Sequence, residues 1–433
     1  MLIDFTVENY RSIKEPVILS AIATKTRSTT KPVKRRLGVV PDDEIAPPYE
    51  VEGRGFELLP VLGIFGANAS GKTNVLRALD ELTRYMESGF FTYDRGSEPR
   101  ATSFALDKEY SKKPSRFEFT TYLLGNVYKY SIAVLDVRIV EETLEFIPVG
   151  QPSKRFQLLY QRKLNQADNT YAWRNGKELG NAYLPIQHSL REHEPFVSEL
   201  SRHIRVEAVA PLTNWLSLRW SSTGLTKIDS VYDDTFLKVW LTRRGNALAQ
   251  AAAMVNRFDT GLANVEMSAR LSGSPDRQDY SLYGVHIVNG NSTRLPFEEE
   301  SDGTQRLLLL ATKLLQAFDT KSLLTIDELG SNLHPTITRE IVRLFQDPKT
   351  NPKRAQLIFT SHDNTLLDDN LLRRDQIWFT EKREDGSTNL YSLSDFRPRN
   401  DLAIDKAYLD GRFGAVPFLP EHDELLPHVA EAA

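Results

Sequence analysis

The segment Gly66-Ala-Asn-Ala-Ser-Gly71-Lys72-Thr73 constrains this chain more than any other stretch. It sits between a short apolar run, Val61-Leu-Gly-Ile-Phe65, and a region where Val75, Leu76, Leu79, Leu82 and Met86 recur at helical spacing. The apolar run fits a buried parallel strand, and the recurrence fits an amphipathic helix. Strand, glycine loop and helix, in that order, build a P-loop. The glycines let backbone N–H groups wrap a phosphate, and the helix adds its positive end. In that pattern Lys72 reaches the β- and γ-phosphates and the Thr73 hydroxyl ligates magnesium, so the expected ligands are ATP and Mg2+.

Bulk composition removes several other chemistries. The 433 residues include no cysteine, which excludes a disulfide scaffold, a Cys-ligated zinc site and a Cys nucleophile. Cysteine-free composition fits a reducing cytoplasm. Met1-Leu2-Ile3-Asp4 lacks the basic-then-apolar pattern of a signal peptide. No apolar run reaches the roughly 18 residues of a membrane span, so no membrane partner is expected and the expected location is cytoplasmic. A formal net charge of −4 neither demands nor forbids nucleic acid.

The order of apolar patterns gives the organisation. Residues 1 to 22 read as two short strands with a turn at Ser12-Ile-Lys14. Residues 23 to 56 are polar and proline-rich, as in a surface loop, and hold the basic run Lys31-Pro-Val-Lys-Arg-Arg36, either a solvated loop or a phosphate-contacting patch. Residues 100 to 150 read as β, with a hairpin turning at Gly125-Asn126. Residues 185 to 270 look mostly helical without heptads, and 280 to 298 return to β. From 301 onward, helix and strand alternate: Leu307 to Phe318, Ser322 to Ile326, a helix from Pro335, Gln356 to Thr360, then closing strands at Gln376 to Thr380 and Asn389 to Leu393. Such alternation argues for a mainly parallel sheet with helices on its faces.

Three further segments carry chemistry. Leu323-Leu-Thr-Ile-Asp327-Glu328 delivers two carboxylates at the end of an apolar strand. Beside a P-loop, Asp327 holds the magnesium, directly or through water, and Glu328 polarises the attacking water as general base. Ser301-Asp-Gly303-Thr-Gln305-Arg306 opens a helix. Ser301 and the Gly303 amide can bind a phosphate there, or Ser301 or Asp302 can act as an ordinary N-cap. Thr360-Ser-His362-Asp363 ends another apolar strand and puts His362 near the γ-phosphate if that strand neighbours the P-loop.

These four segments, in this order, resemble an ABC-type ATPase of the SMC and RecF kind. The resemblance implies an α/β P-loop core with an N-terminal antiparallel β lobe. It makes Ser301 to Gln305 the signature that contacts the γ-phosphate of an opposite subunit, Leu329 to Pro335 the D-loop and His362 the switch histidine. Val7-Glu-Asn-Tyr-Arg-Ser12 resembles the N-terminal strand of that class, which places Arg11 near the nucleotide. The phrases Gly66 to Asn74, Asp327 to Pro335, Phe359 to Asp363, Arg374 to Phe379, Tyr391 to Phe396 and Tyr408 to Phe418 are similar to the prokaryotic RecF-like "AAA15" group, related to abortive-infection and RloA-type ATPases. The nucleotide contacts so implied are Arg11, Gly66, Asn68, Ser70, Gly71, Lys72, Thr73, Asn74, Ser301, Gly303 and Gln305. Magnesium falls to Thr73 and Asp327, and catalysis to Lys72, Glu328 and His362. A Q-loop glutamine has three candidates, Gln151, Gln157 and Gln161. Asp302 and Thr304 stand where transporter-type signatures have glycine or small residues.

The expected organisation is residues 1–150 as the first half of the core, 151–285 as a mixed, largely helical insertion, and 286–433 as the second half. One P-loop and one signature per chain imply a head-to-tail homodimer, or an assembly of such dimers. Two functions fit. One is the sensor or scaffold ATPase of an antiphage system that controls a separate effector, a nuclease or toxin. The other is a RecF/SMC-like ATPase that closes on DNA in repair or recombination. A transporter ATPase fits the start Asn9-Tyr-Arg-Ser12 poorly, and a built-in OLD-type nuclease finds no carboxylate cluster after His362. The tail segment Glu421-His-Asp-Glu-Leu-Leu426 reads as a solvated or docking end.

Overall fold

In the computed structural model the described residues are 1–24, 45, 47–87, 101–151, 155–165, 167–181, 183–203, 206–212, 241, 245–258, 261–271, 278–331, 333–399 and 402–417. The basic run Lys31–Arg36 and the acidic segment Glu421–Leu426 lie outside them.

Two large sheets organise the chain. The first is antiparallel, in the order β10-β9-β8-β7-β6-β1-β2. Its strands are β1 (Leu2–Glu8), β2 (Val17–Ser20), β6 (Ser115–Leu123), β7 (Asn126–Leu135), β8 (Arg138–Ile147), β9 (Gln157–Asn165) and β10 (Thr170–Asn175). The second sheet runs β14-β15-β5-β16-β17. Here β14 (Leu323–Ile326), β15 (Gln356–Ser361), β5 (Val61–Phe65) and β16 (Ile377–Lys382) are parallel neighbours, and β17 (Thr388–Ser392) closes the edge antiparallel to β16. This is the expected α/β architecture: a mainly parallel core sheet with an antiparallel lobe from the N-terminal half. Two minor sheets complete it, β3 (Tyr49–Glu50) with β4 (Glu57–Leu58), and β11 (Asn264–Leu271), β12 (Gln278–Val288) and β13 (Asn291–Pro296) in that order.

Strand β5 is the hinge of the packing because its side chains alternate between two cores. Leu62 and Ile64 join the core under the antiparallel sheet. There they meet Phe5, Phe117 and the apolar stripe Val75, Leu79 and Leu82 of α1 (Lys72–Glu87). Val61 and Phe65 point the other way, into a core with α6 (Pro335–Gln346) and α7 (Ile404–Leu409). A third core joins α4 (Ala247–Arg257), α5 (Asp302–Thr320) and the β11–β12 hairpin. Each fully buried Leu or Val in these stripes stabilises the fold by roughly 1.5–3 kcal/mol.

Local readings need two adjustments. The β6–β7 hairpin turns at Leu124-Gly125, not Gly125-Asn126, since Leu123 pairs with Asn126. Leu124 and Gly125 both have positive φ, 49° and 87°, as a two-residue turn of the I′ kind requires. Asn126 belongs to β7 instead, and its Oδ1 accepts from Val149 N at 2.9 Å. Within 185–270, the described residues hold α3 (Phe196–His203), α4 and most of the short helix α2 (Leu184–Ser189), but also the strand β11. Val265, Met267 and Ala269 alternate with polar residues there, a period of two within a stretch otherwise patterned for helix.

Candidate nucleotide-binding site

Between the end of β5 and the start of α1, the glycine loop needs its glycines for steric reasons. Gly66 has φ +153° and Gly71 has φ +109°. A Cβ on Gly71 would lie 2.1 Å from Thr388 Oγ1, and one on Gly66 would lie 2.5 Å from Thr380 O. The loop is therefore pressed against β16 and β17, and only glycine fits both the angle and the space.

Hydroxyls lock that contact. Ser70 and Thr380 share a hydrogen bond of 2.6 Å, and Thr388 Oγ1 donates to Ser70 O at 3.0 Å. Thr388 Oγ1 also meets Ser12 Oγ at 2.8 Å, while Thr388 N donates to Ser12 O at 2.7 Å. Asn74 Nδ2 donates to Ser12 Oγ at 2.6 Å. The turn between β1 and β2 is thereby fastened to the first turn of α1. Arg11 lies in that turn with φ 51°, exposed, its Nε donating to Tyr10 Oη at 3.1 Å. Asn68 is exposed at the loop's crest and Ser70 is buried under it.

Lys72 opens α1 and folds back into the loop, donating to Gly66 O and Ala67 O at 2.9 Å each. Burial pushes its ammonium down to about 8, against the opposing pull of Glu328 and Asp327. It remains mostly charged at neutral pH, in position for a phosphate.

The carboxylate pair follows β14, one parallel strand away from β15, which neighbours β5. Thr73 Oγ1 donates to Asp327 Oδ1 at 3.0 Å. This pair of oxygens suits a hard cation that keeps several waters and takes one or two protein oxygens. Glu328 is exposed, and a shallow cleft beside it is lined by Asp327, Glu328, Gly330, Ser331, Arg306 and Leu310. Across it Arg306 Nη1 donates to Ser331 O at 2.9 Å, joining α5 to the segment after Glu328. His362 follows β15 and interacts electrostatically with Lys72, Glu328 and Asp327; burial and then the Lys72 charge lower its pKa, so the imidazole is neutral at pH 7. The structure thus brings Lys72, Thr73, Asp327, Glu328 and His362 together.

Ser301 to Gln305 form a separate cluster at the start of α5. Ser301 caps the helix, accepting from Thr304 N at 3.1 Å and sharing a 2.8 Å hydrogen bond with Thr304 Oγ1. Gly303 is the second residue of α5. Gln305 Nε2 donates to Glu298 O and Glu300 O at 3.2 and 2.9 Å. Ser301 is exposed. Of the three glutamines considered above, Gln157 donates to Gln151 at 2.8 Å and Gln161 to Thr143 at 3.4 Å, all within the antiparallel lobe. Residues the motifs did not single out include Ser12, Thr380 and Thr388, which clamp the loop, and the Thr360 hydroxyl, which contacts Asp327.

With this geometry in place, residues 61–368 match the family model described as "AAA domain, putative AbiEii toxin, Type IV TA system". The match covers well over half of the 433 residues. The chain belongs to this family. The AAA domain of the family agrees with the P-loop core described above. No curated protein matches it in sequence. Among solved structures it is similar to the SmcHead bound to the C-winged helix domain of ScpA, at 12% identity over 92% of this chain and 99% of that chain, with a TM-score of 0.43. It is also similar to the SMC head domain from Thermotoga maritima (13%, 90% and 98%, TM-score 0.37). A third is the Smc head domain with an extended coiled coil bound to the C-terminal domain of ScpA derived from Pyrococcus furiosus (12%, 92% and 99%, TM-score 0.42). Among the described residues no helix is long and apolar enough to cross a membrane.

Proposed function

We propose that this chain binds and hydrolyses ATP with Glu328 as general base, and that the nucleotide sets the state of a head-to-tail assembly. The observation that supports it most is the convergence of the Lys72 ammonium, the 3.0 Å Thr73–Asp327 pair and the exposed Glu328 carboxylate. Lys72 would hold the β- and γ-phosphates, and the P-loop amides would cradle them. Thr73 and Asp327 would hold magnesium, which when bound neutralises charge on the phosphates. Glu328 would take the proton of the attacking water. His362, neutral at pH 7, would orient the γ-phosphate.

The second half of the reading concerns Ser301, Gly303 and Gln305. Ser301 is exposed at the positive end of α5, and its hydroxyl caps its own helix. Such an end suits a phosphate offered by another copy of the chain. In that arrangement Arg306, bonded to Ser331, ties the presented helix to the segment that carries Glu328.

We read the cellular role as control of a separate effector, a nuclease or toxin, in an abortive-infection-like antiphage system of the AAA15 kind. The family description, which names an AbiEii toxin and a type IV TA system, supports this over the DNA-clamp reading. Tight duplex DNA binding with steep salt dependence would reverse that preference.

Complementation tests the assembly. Lys72→Ala loses the P-loop and Ser301→Arg blocks the opposite surface, so each variant alone should be inactive. Mixed in equal amounts, half of random head-to-tail dimers are mixed and each keeps one intact site of two. About a quarter of wild-type ATPase activity should return. No recovery, with subunit exchange shown by mass photometry, would refute the head-to-tail arrangement.

A further inference from the structure

The carboxylates of Asp327 and Glu328 do not hold their positions alone. Glu328 has φ 56°, a left-handed backbone conformation that a residue with a long side chain adopts only where its surroundings over-determine it. Glu328 O accepts from Ser331 N at 3.0 Å, and the other backbone hydrogen bonds around it come from Thr360 and Ser361. Thr360, on β15, accepts a hydrogen bond from Glu328 N into its Oγ1 at 2.7 Å. Its backbone carbonyl accepts from Leu329 N at 2.8 Å. Ser361 Oγ then donates to Leu329 O at 3.0 Å. The strand end therefore grips Glu328 on both sides.

The same hydroxyl reaches the metal-side carboxylate. A threonine hydroxyl has one proton to give. Because Oγ1 accepts from Glu328 N, that proton is free for Asp327 Oδ1, 2.7 Å away. Asp327 Oδ1 thus receives two hydroxyls, from Thr360 and from Thr73. Thr360 is fully buried, so neither bond can be replaced by bulk water without opening the strand.

We infer that Thr360 is a positioning residue: its single hydroxyl aligns the Asp327 carboxylate and holds the Glu328 backbone in the one conformation that presents its carboxylate to the site. His362 lies two residues further along the same strand end, so a shift of that end moves both the histidine and the grip on Glu328. This inference rests on the ATPase reading above, and adds a residue that the four motifs do not assign.

The ordinary alternative is that the hydroxyl merely satisfies buried polar groups. Thr360→Val keeps shape and removes the hydroxyl; Thr360→Ser keeps the hydroxyl. Three quantities separate the two accounts: ATP affinity by calorimetry in EDTA, the gain in ATP affinity on adding Mg2+, and kcat. Melting temperatures of both variants check that they fold. Thr360→Val should bind metal-free ATP within about threefold of wild type, lose about tenfold of the magnesium gain and lose about 10–100-fold in kcat. Thr360→Ser should recover most of both losses. A Thr360→Val protein with wild-type magnesium gain and kcat overturns the inference. So does equal damage in the serine and valine variants, or loss of metal-free ATP binding in step with melting temperature. If wild type itself fails to hydrolyse ATP, the proposed function falls, while the magnesium gain in binding still decides the role of Thr360.

Discussion

Glu142 in β8 offers the most severe test of how the lobe beside the P-loop helix is held together. Its side chain is fully buried and paired with Arg162. It accepts from Tyr130 Oη at 3.1 Å, Tyr160 Oη at 2.7 Å, and the first two amides of α3, Phe196 N at 3.0 Å and Val197 N at 3.1 Å. Arg162, also fully buried, lies 3.2 Å away through its Nε and donates through Nη2 to Glu194 O at 2.7 Å. Burial, reinforced by the Glu142 charge, pushes both tyrosine hydroxyls far up, so they stay protonated as donors. One carboxylate therefore caps α3 and fixes it to the sheet, while α3 packs on α1, whose first residue is Lys72. Removing one partner of a buried pair leaves an uncompensated charge, at a cost of about 3–5 kcal/mol. Glu142→Ala should lose about 4 kcal/mol by urea unfolding, a large fraction of the roughly 5–15 kcal/mol of a typical domain. The double variant Glu142→Leu/Arg162→Leu should be less destabilised than either single change, because no charge is stranded. A loss under about 1 kcal/mol for Glu142→Ala, or additive single and double effects, would refute the reasoning.

Lys72 and the loop glycines give two more tests. Lys72 has a pKa of about 8 in the free chain, and a bound polyphosphate favours its charged form, so binding raises that pKa. ATP binding at pH 8 should therefore take up about 0.5 proton, measured by calorimetry in buffers of different ionisation enthalpy. Affinity should fall by up to about tenfold per pH unit above 8, and Lys72→Met should abolish the uptake. Gly71→Ala puts a methyl 2.1 Å from Thr388 Oγ1 at φ +109°. It should cost about 1–3 kcal/mol in unfolding and more than about tenfold in ATP affinity; unchanged titrations would show that the loop relaxes freely.

How much of this was legible in sequence depended on range. The P-loop, the Asp327–Glu328 pair and the Ser301 cap are local, each set by neighbours a few residues apart, and strand and helix periods locate their elements. The clamp on the loop is not local: Ser12 and Thr388 are 376 positions apart, and serine or threonine in a turn or a closing strand carries no signal of such a partner. The same holds for β5, which lies between β15 and β16 in the sheet although nearly three hundred residues precede β15 after it. Thr360 stood inside a motif chosen for His362, but the role of its hydroxyl follows from the return of β14 beside β15. Gly125-Asn126 has the composition of a turn, yet Asn126 is fixed in β7 by a tertiary bond to Val149. Glu142 and Arg162 lie 20 positions apart, and what pairs them is the packing of their strands and of α3, which no local pattern encodes.

The most direct test of the central claim is Glu328→Gln. The exchange preserves shape and hydrogen-bonding reach while removing the base. The account predicts ATP binding at wild-type affinity, phosphate release slower by about 10²–10⁴-fold, and an ATP-dependent even-numbered assembly visible by mass photometry. Wild-type phosphate release by Glu328→Gln, or a monomer that stays monomeric with ATP and magnesium bound, would contradict it.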